Sequence, residues 1–111
     1  MINFSYDLLP LRTSQKSFYG KARVYAINDG GDHYYTLRSY GTDVVSVYVG
    51  HDNIPYMKRL WDGYSATTMR HVNELLMQEG FPKLSARAWR SMEIGKFYCP
   101  YDVPALEKNL K

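Results

Sequence analysis

Residues 61–91 read WDGYSATTMRHVNELLMQEGFPKLSARAWRS, and the punctuation of this stretch decides the fold. Ser65 and Ser85 each stand where a helix N-cap is wanted, because a short hydroxyl can accept from the free N–H groups of the first turn. Each follows an apolar residue, Tyr64 or Leu84, at the position that staples onto the fourth helical residue, Met69 or Trp89. Helix one is expected from about Ala66 to Glu79, with Met69, Val72, Leu75 and Leu76 on one stripe and Gly80 as its left-handed C-cap. Pro82 prevents continuation. Helix two is expected from Ala86 to about Ile94, burying Ala88, Trp89 and Met92 and closing at Gly95.

Upstream the period changes from helical to alternating. From Gly20 to Asn28, Ala22, Val24 and Ala26 fall on one face, before the turn signal Asn28-Asp29-Gly30-Gly31-Asp32. His33 to Tyr40 makes a second strand, Gly41-Thr42 a tight turn, and Asp43 to Val49 a third strand with Val45, Val47 and Val49 buried. Gly50-His51-Asp52-Asn53 turns the chain again, and Pro55 restricts Tyr56 to Trp61 to an edge strand. The fold class is therefore α+β, an antiparallel meander of three to four strands with two short C-terminal helices on one face. Residues 1–111 read as one domain: an N-terminal arm (1–19), a sheet (20–61), a helical hairpin (65–95) and an extended tail (96–111) with a short terminal helix. The opposite sheet face carries Lys21, Arg23 and Tyr25 beside Tyr34, Thr36, Arg38 and Tyr40, with Ser46 and Tyr48 further along.

Composition narrows the class of protein. One cysteine, Cys99, permits no intramolecular disulfide, and MINFSYDLLPLRTS lacks the basic and apolar regions of a secretory signal, so a cytoplasmic protein is expected. Apolar runs of a few residues fall far short of the roughly 20 needed to span a bilayer. Fourteen Lys and Arg against 11 Asp and Glu give a formal charge of +3, and the bases are scattered rather than clustered. A pI near 9.0 only reaches the threshold of a nucleic-acid footprint. The 11 tyrosines are more telling, because a tyrosine surplus beyond core needs favours binding faces.

The sequence carries few signs of catalytic chemistry. No GxGxxG, GxxxxGK[ST], HExxH, GxSxG or CxxC is present, so neither an enzyme nor a cofactor is expected. Asp29, Asp32, His33, His51 and Asp52 sit in two turns at one end of the meander, roughly 10 Å apart by strand spacing, too far for a shared metal ion. His71 flanks the apolar stripe and is expected to be a partly buried ring bonded to a neighbouring turn; Cys99 is expected to be a small, mostly buried apolar residue. A helix-turn-helix reading, with Arg87 and Arg90 entering a groove, conflicts with the long Gly80–Leu84 loop and with Trp89 in the core.

The segments LRSYGTDVV (37–45) and LWDGYSATTMRHVNE (60–74), followed by Gly80-Phe81 and Leu84-Ser85 before Trp89, carry a resemblance. The pattern, most specific in YSATTxRHxN, resembles small proteins of phages and other mobile elements of bacteria and covers about half the chain. The resemblance carries no catalytic residues. It implies action inside a host cell by occupying a host machine, as anti-CRISPR inhibitors of similar size do, so the expected partner is a host protein or protein–nucleic acid complex such as a CRISPR effector. The partner-binding set is Arg23, Tyr25, Tyr34, Arg38, Tyr40 and Tyr48, since tyrosine and arginine are favoured at interface hot spots. The competing class binds nucleic acid directly, with tyrosines stacking bases and cations meeting phosphates, on this face or through the helical hairpin. A third reading has the tyrosines pair across strands for stability alone. The oligomeric state is open.

Overall fold

A computed structural model describes residues 2–12 and 17–108; Lys16 and Lys111, counted among the scattered bases, lie outside the described residues. Among the described residues the sheet is an antiparallel meander of six strands in chain order: β1 (Ile2–Asp7), β2 (Ala22–Asp29), β3 (Asp32–Ser39), β4 (Thr42–Val49), β5 (Pro55–Arg59) and β6 (Phe97–Tyr98). The expected three to four strands are thus the centre of a wider sheet. β1 comes from the N-terminal arm, and β6 from the segment expected to be an extended tail. The β5 segment is not the edge: β6 pairs with it at Met57 and Lys58, while Pro55 opens the strand opposite Val49, a position proline tolerates.

Among the described residues, three helices lie on one side of the sheet. α1 (Ala66–Gln78) packs on β3 and β4, α2 (Ala86–Ser91) follows it, and α3 (Val103–Glu107), entered through a 3-10 turn at Pro100–Asp102, packs against α2. Ser65 Oγ accepts from Thr68 N at 3.0 Å and Ser85 Oγ from Ala88 N at 3.1 Å, as the two serines require. α1 closes in a Schellman arrangement, Phe81 N donating to Leu76 O at 2.8 Å with the Phe81 ring buried behind it. α2 is shorter than expected. It ends at Ser91, because Met92 turns to extended backbone and Gly95 N donates to Arg59 O at 2.9 Å, docking the exit segment on β5.

The core joins Ala22, Val24, Leu37, Val45, Val47 and Met57 of the sheet to Met69, Val72, Leu75, Leu76, Ala88 and Trp89 of the helices. A bulge between Leu37 and Arg38 breaks the β3–β4 register, and Val44 is buried along with Val45, although they are consecutive. Leu8 and Phe18 enter the same core from the N-terminal arm. Arg59 is also buried. Its guanidinium donates to the carbonyls of Trp61 (2.8 Å), Met92 (3.2 Å) and Gly63 (3.3 Å) and lies 4.7 Å from the Trp89 ring centre. The indole N–H of Trp89 donates to the same Gly63 carbonyl at 2.9 Å. Gly63 is required there, since a Cβ would stand 2.3 Å from the Trp61 ring.

Candidate functional site

Strand register places the side chains of the open face in three rows. The first runs Ile27, Tyr34, Tyr48, Tyr56; the second Ser5, Tyr25, Thr36, Ser46, Lys58, Phe97; the third Asp7, Arg23, Arg38, Asp43. Tyr25 is 39% exposed, Tyr34 40% and Phe97 50%. Tyr34 and Tyr48 pack at 5.0 Å between ring centres, and Lys58 Nζ sits 4.9 Å from the centre of the Phe97 ring. The third row neutralises itself. Arg23 Nη1 meets Asp7 Oδ1 at 2.7 Å and Arg38 Nε meets Asp43 Oδ1 at 2.9 Å, while the Arg38 guanidinium lies 4.9 Å from the Tyr25 ring centre.

Five of the six residues expected to bind a partner, Arg23, Tyr25, Tyr34, Arg38 and Tyr48, come together on this face. Tyr40 does not. It occupies the left-handed region at φ 51 in the β3–β4 turn, which takes it out of the strand alternation, and its ring stacks on His71 of α1 at 5.7 Å. The two turns bearing Asp29, Asp32, His33, His51 and Asp52 are also nearer than strand spacing suggested: His51 Nδ1 reaches Asp32 Oδ1 at 3.3 Å. His33 points elsewhere, bonding Asn28 on the covered face, and among the described residues no three potential ligands converge on a metal position.

The YSATTxRHxN segment proves to be built into the fold. Ser65 caps α1, and His71 Nδ1 bonds Ser39 Oγ at 2.8 Å, with Thr68 Oγ1 3.3 Å from the same hydroxyl. The His71 ring packs between Phe18 and Tyr40, and burial, helped by Arg70, holds its pKa below the ordinary histidine value. The ring is buried, and the lowered value favours its neutral form. Asn73 grips Leu84 twice, donating to its carbonyl at 3.0 Å and accepting from its N–H at 2.8 Å. Glu74 accepts from Arg12 N at 2.8 Å and Gln78 Nε2 at 2.6 Å, tying the N-terminal arm to α1. At the end of α1, burial raises the Glu79 carboxyl and pushes the Tyr6 phenol up to about 12, shifts that favour the neutral forms.

A second surface lies on the covered side. α1, the Lys83–Ala86 loop and Arg12 enclose a groove of about 710 Å³ with Met69, Met77 and Leu84 in its walls. Its charged lining is Arg12, Arg70 and Lys83, three cations drawn from three chain segments. That separation hid the groove from sequence reading, where each base looked isolated. At its border the Arg90 guanidinium lies 4.3 Å from the Tyr64 ring centre.

These features define a small α+β protein with an open Tyr/Arg sheet face and a basic groove opposite. The chain belongs to a family of unknown function (DUF8033), which matches residues 6–91, from the end of β1 to the end of α2. No curated protein and no solved structure matches it.

Proposed function

We propose that this protein is a non-enzymatic binding protein that acts by laying the open face of its sheet against a partner protein. The observation that carries this reading is the pairing of Arg23 with Asp7 and of Arg38 with Asp43. Phosphates would have to displace two carboxylates to reach these guanidinium groups, whereas a protein surface can be met by the neutral tyrosine rows. The face is aromatic and, among the described residues, free of covering helices, which suits a docking surface. Following the resemblance to mobile-element proteins, the partner proposed is a host nuclease-type complex in the bacterial cytoplasm, inhibited by occlusion. Among the described residues no helix is long and apolar enough to cross a membrane.

The test is capture from nuclease-treated bacterial lysate, combined with protection of a transforming plasmid from the host nuclease system. Wild type should retain a protein partner after nuclease, and Tyr25→Ala and Tyr34→Ala should each weaken that complex by about 2 kcal/mol without lowering the melting temperature. Loss of every partner on nuclease treatment would overturn the reading.

A further inference from the structure

We propose that the groove between α1 and the 83–86 loop is a phosphate-binding track for a single strand of nucleic acid. This site goes beyond the sheet face and stands or falls independently of it. Among the described residues, Arg12, Arg70 and Lys83 make no ion pair, in contrast to Arg23 and Arg38. Two acids on adjoining elements are already engaged: Glu74 of α1 accepts from Arg12 N and Gln78, and Glu107 of α3 accepts from both the N–H and the hydroxyl of Ser85. The Asn73 and Ser85 side chains of the wall are committed as well, Asn73 to Leu84 and Ser85 to the first turn of α2. What the groove offers a ligand is therefore cationic hydrogen-bond donors over an apolar floor, a combination selective for anions.

A polymer fits better than a lone phosphate because the cations do not stop at the groove. Arg87 and Arg90 are exposed on α2 just beyond Ala86, again without an ion pair among the described residues, so the unpaired charges extend along the loop and the helix. The Arg90 guanidinium stacked on Tyr64 adds a planar cation–aromatic unit of the kind on which bases stack. Single-stranded rather than duplex recognition follows from α2, whose 6 residues are too few to serve as a recognition helix in a major groove. Phosphate rather than carboxylate recognition follows from the Arg90–Tyr64 unit beside the cations, since a strand of nucleic acid brings a base to stack along with each charge and an acidic peptide does not.

The probes are fluorescein-labelled oligothymidine and oligouridine strands, read by anisotropy across a salt series starting near 50 mM, with polyglutamate as competitor. Wild type should bind both strands, with log affinity falling by about 0.7 per log unit of salt for each phosphate neutralised. The double variant Arg70→Glu, Lys83→Glu should lose at least tenfold in affinity and show a shallower salt slope, while Arg23→Glu on the sheet changes affinity less than twofold. Both reversed residues are exposed, and unchanged melting temperatures separate lost binding from lost fold. Absence of strand binding by wild type at the lowest salt, equal losses from Arg23→Glu, or competition by polyglutamate as strong as by the strands would each overturn the proposal.

Discussion

On the covered side of the sheet, Arg59, His71, Asn73 and Glu74 are buried and bonded to carbonyls, amides or hydroxyls, whereas on the open face Arg23 and Arg38 pair with aspartates while their side chains stay nearly half exposed. The same residue types therefore do different things. In the covered layer a polar group has no water to fall back on, so each bond fixes the position of one element against another. On the open face an ion pair competes with solvent and contributes little to stability, leaving the surface free to exchange partners. Stability should accordingly be sensitive to neutral substitutions under the helices and insensitive to charge removal on the sheet.

The largest expected effect is at Trp89, fully buried with its N–H on Gly63 O and its ring against Arg59. Trp89→Ala should cost about 3 to 5 kcal/mol in urea unfolding, and a loss below 1 kcal/mol would contradict the packing of α2. Asn73→Ala comes next, at roughly 2 kcal/mol, because it strands the buried N–H and C=O of Leu84. It should also loosen the groove wall, so strand binding should weaken in the same variant although no charge has changed. Ser65→Ala should cost about 1 kcal/mol as a lost cap.

The ranking also shows what could be read beforehand. The two caps, the apolar stripe of α1 and the alternation of Ala22, Val24 and Ala26 are local signals, and each emerged where expected. β1 and β6 did not, because INFSYD is too short and mixed to announce a strand until β2 offers it an edge, and a two-residue strand exists only through pairing. Val44 was hidden by the bulge, and the outward expectation for Tyr40 failed at the turn, since period-two reasoning stops where the backbone leaves the strand region. The groove was illegible for a different reason: Arg12, Arg70 and Lys83 are distant in sequence, and tertiary bonds such as the Asn73–Leu84 clasp, the Glu74–Arg12 bond and the Gln78–Leu9 bond bring their segments together. Whether a given base is paired is a tertiary fact.

A smaller effect, and a sharper one, concerns His71. Its pKa is lowered from 6.5 in the folded protein, so below that value the unfolded chain binds more protons than the native one. The stabilisation is full above pH 6.5 and is lost as pH falls through the unfolded value toward the folded one. His71→Gln should flatten the dependence of unfolding free energy on pH just below 6.5, and an unchanged slope would mean the ring is not held neutral by its surroundings.

The smallest expected change is on the open face, and there the comparison is most exposed to refutation. Arg23 is paired at 2.7 Å, yet 43% of its side chain and 56% of its partner's remain in contact with water. Arg23→Ala should therefore shift unfolding by no more than about 0.5 kcal/mol, and raising the salt should erase even that difference. Arg38→Ala should behave alike, its one added consequence being the loss of the guanidinium from the Tyr25 ring. Protein-partner binding should fall more in Tyr25→Ala than in either arginine variant, because the aromatic row makes the contact and the arginines enter it already neutralised. A paired thermal and binding assay across a salt series decides the matter. If the arginine variants lose more binding than Tyr25→Ala, and lose it more steeply at low salt, then the Asp7 and Asp43 pairs open on binding and the face is a charged surface rather than an aromatic one.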